Sequence, residues 1–337
     1  MYYANNDIRI EHLPVPPVGE GEILVRIRAS GVCGSDVMEW YRRDKVPLVL
    51  GHEVAGEIVQ VGRAVDNFSI GDRVVVAHHV PCMVCEYCQR GRETMCRTLQ
   101  STNFDPGGFC EYVLVPAINV KTGTFKIPGH VSDEEASFTE PVACVLRAQR
   151  LAGLRPGDNV LVIGSGISGL LHIACAAAQG AGAIVSTDIS PYRVEMANKL
   201  GAKAHVATQF TPDHVREATG GRLADLIVTT TGAVPAIEQA FACAERGATI
   251  VLFAPTGPDV KIPISINDLF WKKDLTVTTS YAGSPADHAQ ALRMIAAGRI
   301  DVKSLITHRL PLAETQKAFQ LVVEGGESVK VIVEPQS

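Results

Sequence analysis

The pattern of hydrophobic and polar residues along the chain changes near residue 150. Before that point, short β-rich stretches such as 23–28, 53–59 and 72–76 alternate with Gly and Pro residues, which is typical of a small β barrel or sandwich. After it, short apolar runs alternate with helical segments, and this pattern predicts the βαβ units of a parallel sheet. The predicted strands of the second half are 159–164, 183–188, 225–230, 249–254 and 275–281.

The last part of the chain has a mixed pattern. Segment 286–297 predicts a helix, and residues 306–335 predict a strand, a helix and a final strand at 329–333. We expect this tail to return to the first domain. The chain is therefore predicted to be an α/β protein with a doubly wound parallel sheet and a second, mainly β domain. The predicted domain segments are 1–149, 150–285 and 286–337.

Composition and charge exclude several classes of protein. The chain has 337 residues, of which 46% are hydrophobic and 20% are charged, as in a globular protein with a large core. Its net charge of −5 argues against a nucleic-acid partner, because phosphate binding needs a basic surface. No apolar run can span a bilayer, and no secretory signal is present at the start. We expect a cytoplasmic protein that acts on a small molecule and has no membrane partner.

Four closely spaced cysteines, Cys82, Cys85, Cys88 and Cys96, form the most informative motif. Four thiolates can close a tetrahedral shell around Zn²⁺ that leaves no open position, so such a metal stabilises a loop and does no chemistry. Disulfides or plain reduced thiols are the alternatives, but a cytosolic chain keeps its thiols reduced, and clustered cysteines there indicate metal ligands. We predict a structural zinc lobe over about residues 78–98.

A glycine-rich turn lies between a predicted strand and a helical segment at 170–179. A G-x-G-x-x-G motif in this context is typical of a dinucleotide-binding domain, because its glycines let backbone N–H groups and the helix N-terminus approach a pyrophosphate. A turn that only packs the helix on the strand is the alternative. The predicted cofactor-binding residues of this turn are Gly164, Gly166, Ile167, Ser168 and Gly169.

Asp188 ends the next predicted strand, about 20 residues after Gly169, where a Rossmann domain carries the acidic residue that binds the adenosine ribose. A carboxylate there accepts hydrogen bonds from the ribose hydroxyls and repels a 2′-phosphate. The sequence therefore favours NAD over NADP as the cofactor. Arg193 lies nearby and could shift this preference, and a role of Asp188 as a helix cap is the alternative.

Residues of the first half can form a second, open metal site. The candidates are Cys33 with Ser35 two residues later, the adjacent His52 and Glu53, and Glu140. A thiolate, an imidazole and a carboxylate hold zinc and leave a position for water or an alcohol. Each residue alone has an ordinary explanation, since an isolated cysteine in a Gly-rich stretch is usually a core residue. Together with the cysteine lobe and the cofactor motif, they predict a catalytic zinc.

These motifs resemble the zinc-containing medium-chain dehydrogenases/reductases of the alcohol dehydrogenase superfamily over nearly the whole chain. The resemblance rests on segments 31–36, 51–56, 71–74, 82–96, 107–112 and 164–169. Glu140 followed by Pro141 is similar to the sorbitol and threonine dehydrogenase branch, since other alcohol dehydrogenases carry a cysteine ligand there. The resemblance implies a GroES-like catalytic domain and a Rossmann domain. It also implies that Cys33 and His52 bind the catalytic zinc, with Glu53 and Glu140 as direct or water-mediated ligands.

The implied activity is hydride transfer between an alcohol or polyol, a secondary alcohol in particular, and NAD(H), with two Zn²⁺ ions per chain. The catalytic zinc would stabilise the alkoxide, and Ser35 would accept the hydroxyl proton. Many members carry a relay histidine where this chain has Met38, and we interpret His78 and His79 as structural. The alternatives are a non-enzymatic cofactor-binding protein and an NADP-linked enoyl or quinone reductase of the same superfamily, which uses no zinc.

The substrate pocket and the assembly are less constrained by the sequence. The predicted pocket residues are Trp40, Tyr41 and Phe104. The basic segment Arg42, Arg43 and Lys45 could attract an anionic substrate, although a solvated loop is the simpler explanation. The resemblance implies a homo-oligomer, a dimer or a tetramer, formed through the exposed edge strand near 275–281.

Overall fold

The chain divides into two compact units. The computed structural model describes residues 1–337, and the first unit comprises Met1–Ala143 and Ala282–Ser337, while the second comprises Cys144–Tyr281. None of its helices has the length and apolar character needed to cross a bilayer.

The strands and helices alternate along the chain in a different way in each unit. The strands are β1 (Tyr2–Ala4), β2 (Asp7–Ile8), β3 (Ile23–Gly31), β4 (Glu53–Val61), β5 (Arg73–Ala77), β6 (Tyr112–Val115), β7 (Thr124–Lys126), β8 (Val160–Ile163), β9 (Ile184–Asp188), β10 (Lys203–Val206), β11 (Ala224–Thr229), β12 (Ala244–Leu252), β13 (Thr276–Thr279), β14 (Ile306–Pro311) and β15 (Lys330–Glu334). The α-helices are α1 (Glu39–Arg42), α2 (Glu86–Gln89), α3 (Arg97–Ser101), α4 (Ala117–Gly123), α5 (Asp133–Ser137), α6 (Thr139–Leu151), α7 (Ile167–Ala178), α8 (Pro191–Lys199), α9 (Pro212–Thr219), α10 (Val234–Ala242), α11 (Pro285–Ala296) and α12 (Thr315–Glu324). Single 3₁₀ or π turns cover Arg43–Lys45, Glu93–Met95, Ala207–Gln209, Ile266–Trp271, Lys303–Leu305 and Leu312–Glu314.

The first unit is built on a seven-stranded sheet in the order β14-β15-β3-β4-β5-β7, with β6 also paired to β3. Alternate residues of β3, namely Ile23, Val25 and Ile27, are fully buried in its core, as expected for a strand with one face on the interior. The antiparallel pairing of β3 with β4 places Gly31 opposite Glu53. This register brings the chain segment that follows β3 next to the start of β4.

The second unit contains a six-stranded parallel sheet in the order β10-β9-β8-β11-β12-β13. This order is that of a Rossmann domain, with two βαβ halves that diverge from the central pair β8 and β11. The strands β8 and β9 are buried along their whole length, because helices cover both faces of such a sheet. The predicted fold class, a Rossmann sheet beside a mainly β unit, is confirmed.

The structure adds one strand that the sequence analysis did not predict. This is β10, which has the sequence Lys-Ala-His-Val, an exposed first residue and no fully buried residue. An edge strand lacks the apolar run of a central strand, so its pattern carries little signal. The structure also begins α7 at Ile167, so Ile167 and Ser168 belong to the first helical turn.

Candidate metal centres and cofactor site

The four cysteines of the predicted zinc lobe converge on one point. Their sulfur atoms all lie within 4.8 Å of one another. The Sγ–Sγ distance is 3.5 Å between Cys85 and Cys88 and 3.6 Å between Cys82 and Cys96. A tetrahedral site with Zn–S bonds of about 2.3 Å has sulfur–sulfur edges of about 3.8 Å. The four side chains therefore fit a closed zinc shell.

Backbone amides prepare part of this lobe for a metal. Burial alone would raise the pKa of Cys96, but the amide N–H groups of Cys82 and Leu99 lower that pKa to about 6. The amides of Val84 and Cys85 likewise lower the pKa of Cys82. Metal binding requires thiolates, so these amides favour the form that binds zinc.

A second group of donors forms where β3 ends and β4 begins. The donor atoms of Cys33, His52 and Glu53 lie within 4.8 Å of one another. Ser35 donates to Cys33 Sγ from both its backbone N–H and its hydroxyl group, each at 3.4 Å. A sulfur that accepts two hydrogen bonds is stabilised as a thiolate. The three donors fit the three-ligand set of an open zinc site.

Asp36 supports this second centre from below. It is fully buried, its Oδ1 lies 3.3 Å from His52 Nδ1, and its Oδ2 accepts the N–H of Cys33 at 3.0 Å. Burial alone would lower the pKa of His52, but the Asp36 carboxylate and Cys33 raise that pKa well above its usual value. A carboxylate at Nδ1 fixes the ring and leaves Nε2 for a metal. The sequence motif contained Asp36, but we had assigned it no role.

Lys330 forms a buried ion pair with Glu53. Its Nζ donates to the Glu53 carboxylate and, at 3.1 Å, to the Val32 carbonyl oxygen. The two charged side chains are 0% and 1% exposed, and Nζ lies 5.6 Å from the centre of the Phe138 ring. Burial raises the pKa of Glu53, against the opposing effect of Lys330. Sequence analysis missed Lys330, because only the pairing of β15 with β3 brings it here.

Glu140 and two histidines surround the same centre. Glu140, in the first turn of α6, lies outside the set of three mutually close donors, although its charge raises the pKa of Glu53. The His78 ring centre is 4.8 Å from that of His52 and 3.9 Å from that of His79. Burial lowers the pKa of His78 well below its usual value, so it is neutral. The two histidines contact the metal centre directly, which their sequence position did not indicate.

The predicted pocket residues occupy different environments. Trp40 is 45% exposed and its ring centre lies 6.0 Å from that of Tyr41. Phe104 is 2% exposed and packs in the core of the first unit, with its ring centre 6.3 Å from that of His78. Core packing accounts for Phe104, whereas the two residues of α1 keep rings near the surface.

The glycine turn of the second unit has no room for side chains. Gly164 has a φ of +95°, and a Cβ atom on Gly169 would lie 1.9 Å from the Gly164 carbonyl oxygen. Gly166 is the N-cap of α7, and the Arg193 Nη1 atom lies 3.8 Å from the position that a Gly166 Cβ would take. Close backbone packing and a cation over the turn are the features that a pyrophosphate needs.

Asp188 lies at the carboxyl end of β9, beside this turn. Its Oδ2 accepts the N–H of Ser165 at 2.7 Å and its Oδ1 accepts the N–H of Ser190 at 2.8 Å. The N-cap of α8 is Ser190, whose hydroxyl accepts the N–H of Arg193, so Asp188 is not that cap. The carboxylate is held at the position where a Rossmann domain binds a ribose.

Comparison with known proteins identifies the class. The model of the alcohol dehydrogenase GroES-like domain matches residues 19–128, and that of the zinc-binding dehydrogenase matches residues 168–297. The chain therefore belongs to the zinc-dependent medium-chain dehydrogenases/reductases, and the predicted family is confirmed. The prediction of a zinc-dependent alcohol or polyol dehydrogenase is confirmed at the level of this family.

Particular relatives refine this assignment. The sorbitol dehydrogenase of Bacillus subtilis (strain 168) is 33% identical over 99% of this chain and 96% of its own length. The L-threonine 3-dehydrogenase of Shigella dysenteriae serotype 1 (strain Sd197) is 32% identical over 98% of this chain and 97% of its own. A zinc-binding dehydrogenase from Sinorhizobium meliloti 1021, solved with NADP, has a TM-score of 0.87 and 28% identity over 99% of this chain and 97% of its own. The predicted sorbitol and threonine dehydrogenase branch is confirmed.

Proposed function

We propose that the protein interconverts a secondary alcohol or polyol and the matching ketone, with NAD(H) as its cofactor. The observation that carries this proposal is the convergence of Cys33, His52 and Glu53, with Asp36 behind the histidine and Ser35 at the sulfur. Sorbitol and L-threonine, which the relatives' names give as substrates, both carry a secondary hydroxyl group. This likeness supports the substrate class.

The residues around the open centre divide the work. Cys33 and His52 would hold the zinc, and Glu53 and Glu140 would supply the remaining direct or water-mediated contacts. When bound, zinc supplies a Lewis acid that lowers the pKa of a substrate hydroxyl group. The hydroxyl oxygen of Ser35 accepts the proton of that group. The four-cysteine lobe would hold a second zinc and stabilise its loop.

The glycine turn and Asp188 would hold the dinucleotide in the second unit. Backbone amides at the start of α7 face the pyrophosphate, and Arg193 adds a positive charge over the turn. A carboxylate at Asp188 binds ribose hydroxyls and repels a 2′-phosphate, which favours NAD although one structural relative was solved with NADP. Initial rates with each cofactor test this choice, and a kcat/KM at least tenfold higher with NADP⁺ would refute it.

Assembly and location complete the proposal. The edge strand β13 and its flanks expose apolar side chains, with Trp271 80%, Tyr281 43% and Val277 37% exposed. An exposed strand edge favours pairing with another chain, so we propose a homo-oligomer, a dimer or tetramer, which light scattering tests. A lobe of four thiolates requires a reducing compartment, and we therefore place the protein in the cytoplasm.

The first experiment measures zinc per chain in protein purified without added metal. We expect two zinc ions per chain, one for each donor cluster, and NADH formation with NAD⁺ and sorbitol, L-threonine or 2-propanol. Cys33→Ser should retain one zinc ion and lose turnover. Two bound zinc ions without turnover on any secondary alcohol would favour a non-enzymatic cofactor-binding protein, and an absence of zinc would favour a zinc-free reductase.

A further inference from the structure

We propose that Arg42 is a positioning residue for the Ser35 hydroxyl group, an inference that rests on the proposed function. Arg42 is the last residue of α1, and its guanidinium group folds back onto the turn that follows Cys33. Its Nε donates to the Ser35 carbonyl oxygen at 3.2 Å and its Nη2 donates to Ser35 Oγ at 3.4 Å. Nη2 also lies 3.6 Å from Asp36 Oδ1. One guanidinium group thus contacts the backbone, the hydroxyl and the carboxylate of a single turn.

The burial of Arg42 separates it from an ordinary surface arginine. Its side chain is 13% exposed, and the guanidinium carbon lies 4.8 Å from the centre of the Tyr41 ring. The next residue, Arg43, is exposed. Surface arginines keep the charged group in water, so the inward turn of Arg42 indicates a role within the protein. It does not fit the expectation that this residue attracts an anionic substrate.

Counting hydrogen bonds at Ser35 shows what Arg42 achieves. A serine hydroxyl group has one donor hydrogen and two acceptor lone pairs. The Ser35 hydroxyl donates to Cys33 Sγ and accepts from Arg42 Nη2, each at 3.4 Å. One lone pair remains for the hydroxyl proton of a substrate. Without Arg42 the hydroxyl group is free to rotate, and it presents that lone pair only part of the time.

The charges around Arg42 favour a geometric role over a net electrostatic one. The charged and titratable groups near it are Asp36, His52, Lys45, His78 and His79. Asp36 is fully buried and contacts both Arg42 and His52, so its negative charge compensates the guanidinium group. Direction at Ser35, more than added positive charge, is therefore what Arg42 contributes.

A double-mutant cycle on the zinc-loaded enzyme tests this role, with NAD⁺ and the fastest of sorbitol, L-threonine and 2-propanol as substrates. Arg42→Met should lower kcat by about 10- to 100-fold and change KM less than about threefold. In a Ser35→Ala background the same change should cost less than about threefold, because the hydroxyl group is absent. Arg43→Met is the matched control and should leave kcat unchanged. Additive losses, or a raised KM with strong salt dependence and unchanged kcat, would overturn the proposal.

Hydrogen exchange of the zinc-free protein gives a readout that does not depend on activity. The peptide over residues 33–37 should exchange at least about fivefold faster in Arg42→Met, and at the original rate in Arg43→Met. Faster exchange in a protein that oxidises none of the three substrates would support the contact and refute the proposed function. Unchanged exchange in Arg42→Met would refute the positioning role whatever the activity.

Discussion

The buried pair of Lys330 and Glu53 allows a quantitative prediction. Lys330→Met removes the positive charge and leaves the Glu53 carboxylate, which is 1% exposed, without its partner. Breaking a buried pair by removing one member typically costs about 3–5 kcal/mol, because the remaining charge is uncompensated. The hydrogen bond to the Val32 carbonyl oxygen is lost at the same time. We therefore expect zinc-free Lys330→Met to lose about 4 kcal/mol of unfolding free energy.

Urea unfolding of the zinc-free protein measures this loss. The chain has two tryptophans, and Trp40 lies in the first unit while Trp271 lies in the second. A Trp271→Phe background therefore makes the fluorescence of Trp40 a probe of the unit that contains the pair. Zinc must be removed with a chelator first, because a bound cation would compensate the Glu53 charge.

Two control variants separate the buried charge from other effects. Lys317→Met breaks an exposed pair with Glu314, whose side chains are 59% and 44% exposed, and should cost less than about 0.5 kcal/mol. The double variant Glu53→Gln with Lys330→Met should recover part of the stability, since it leaves no buried charge. A loss below about 1 kcal/mol in Lys330→Met, or a double variant as unstable as the single one, would contradict this reasoning.

Three further predictions concern acid stability, metal content and cofactor choice. Burial lowers the pKa of His172 to about 3 from an ordinary value near 6.5, so the unfolded chain binds the extra proton as the pH falls. Between pH 6.5 and 4 the wild type should lose about 3 kcal/mol of stability relative to His172→Met, and equal pH profiles in urea unfolding would contradict this. Elemental analysis should find the lobe zinc missing in Cys85→Ser and present in Cys33→Ser; loss of both ions from Cys33→Ser would refute two independent sites. Asp188→Ser should lower kcat/KM for NAD⁺ at least about tenfold and raise it for NADP⁺, and unchanged cofactor kinetics would remove Asp188 from the ribose site.

Local sequence patterns were sufficient for the motifs whose members lie close together along the chain. The four cysteines converge as predicted, because a short loop can bring residues 82–96 around one point without help from distant strands. The glycine turn is likewise a local strand–turn–helix unit, and its tight backbone excludes a side chain at Gly169. The predicted fold class rests on the same kind of information, since the period of apolar residues marks each strand and helix.

Contacts between distant segments were not accessible in this way. Lys330 reaches Glu53 only because β15 adds to β3, whose end pairs with the start of β4. Arg42 is close to Ser35 in sequence, yet its direction depends on the short helix α1 that turns its side chain inward. The edge strand β10 also escaped, since its half-exposed polar residues have no apolar period.

The sequence by itself therefore determined the family, the two kinds of metal ligand set and the nucleotide motif, because short-range spacing constrains local geometry. The tertiary structure alone decided which charges meet in the interior. Asp36 with His52 and Lys330 with Glu53 are pairs made by sheet register and burial. The strength of such pairs depends on exclusion of water, and no residue pattern along the chain specifies that.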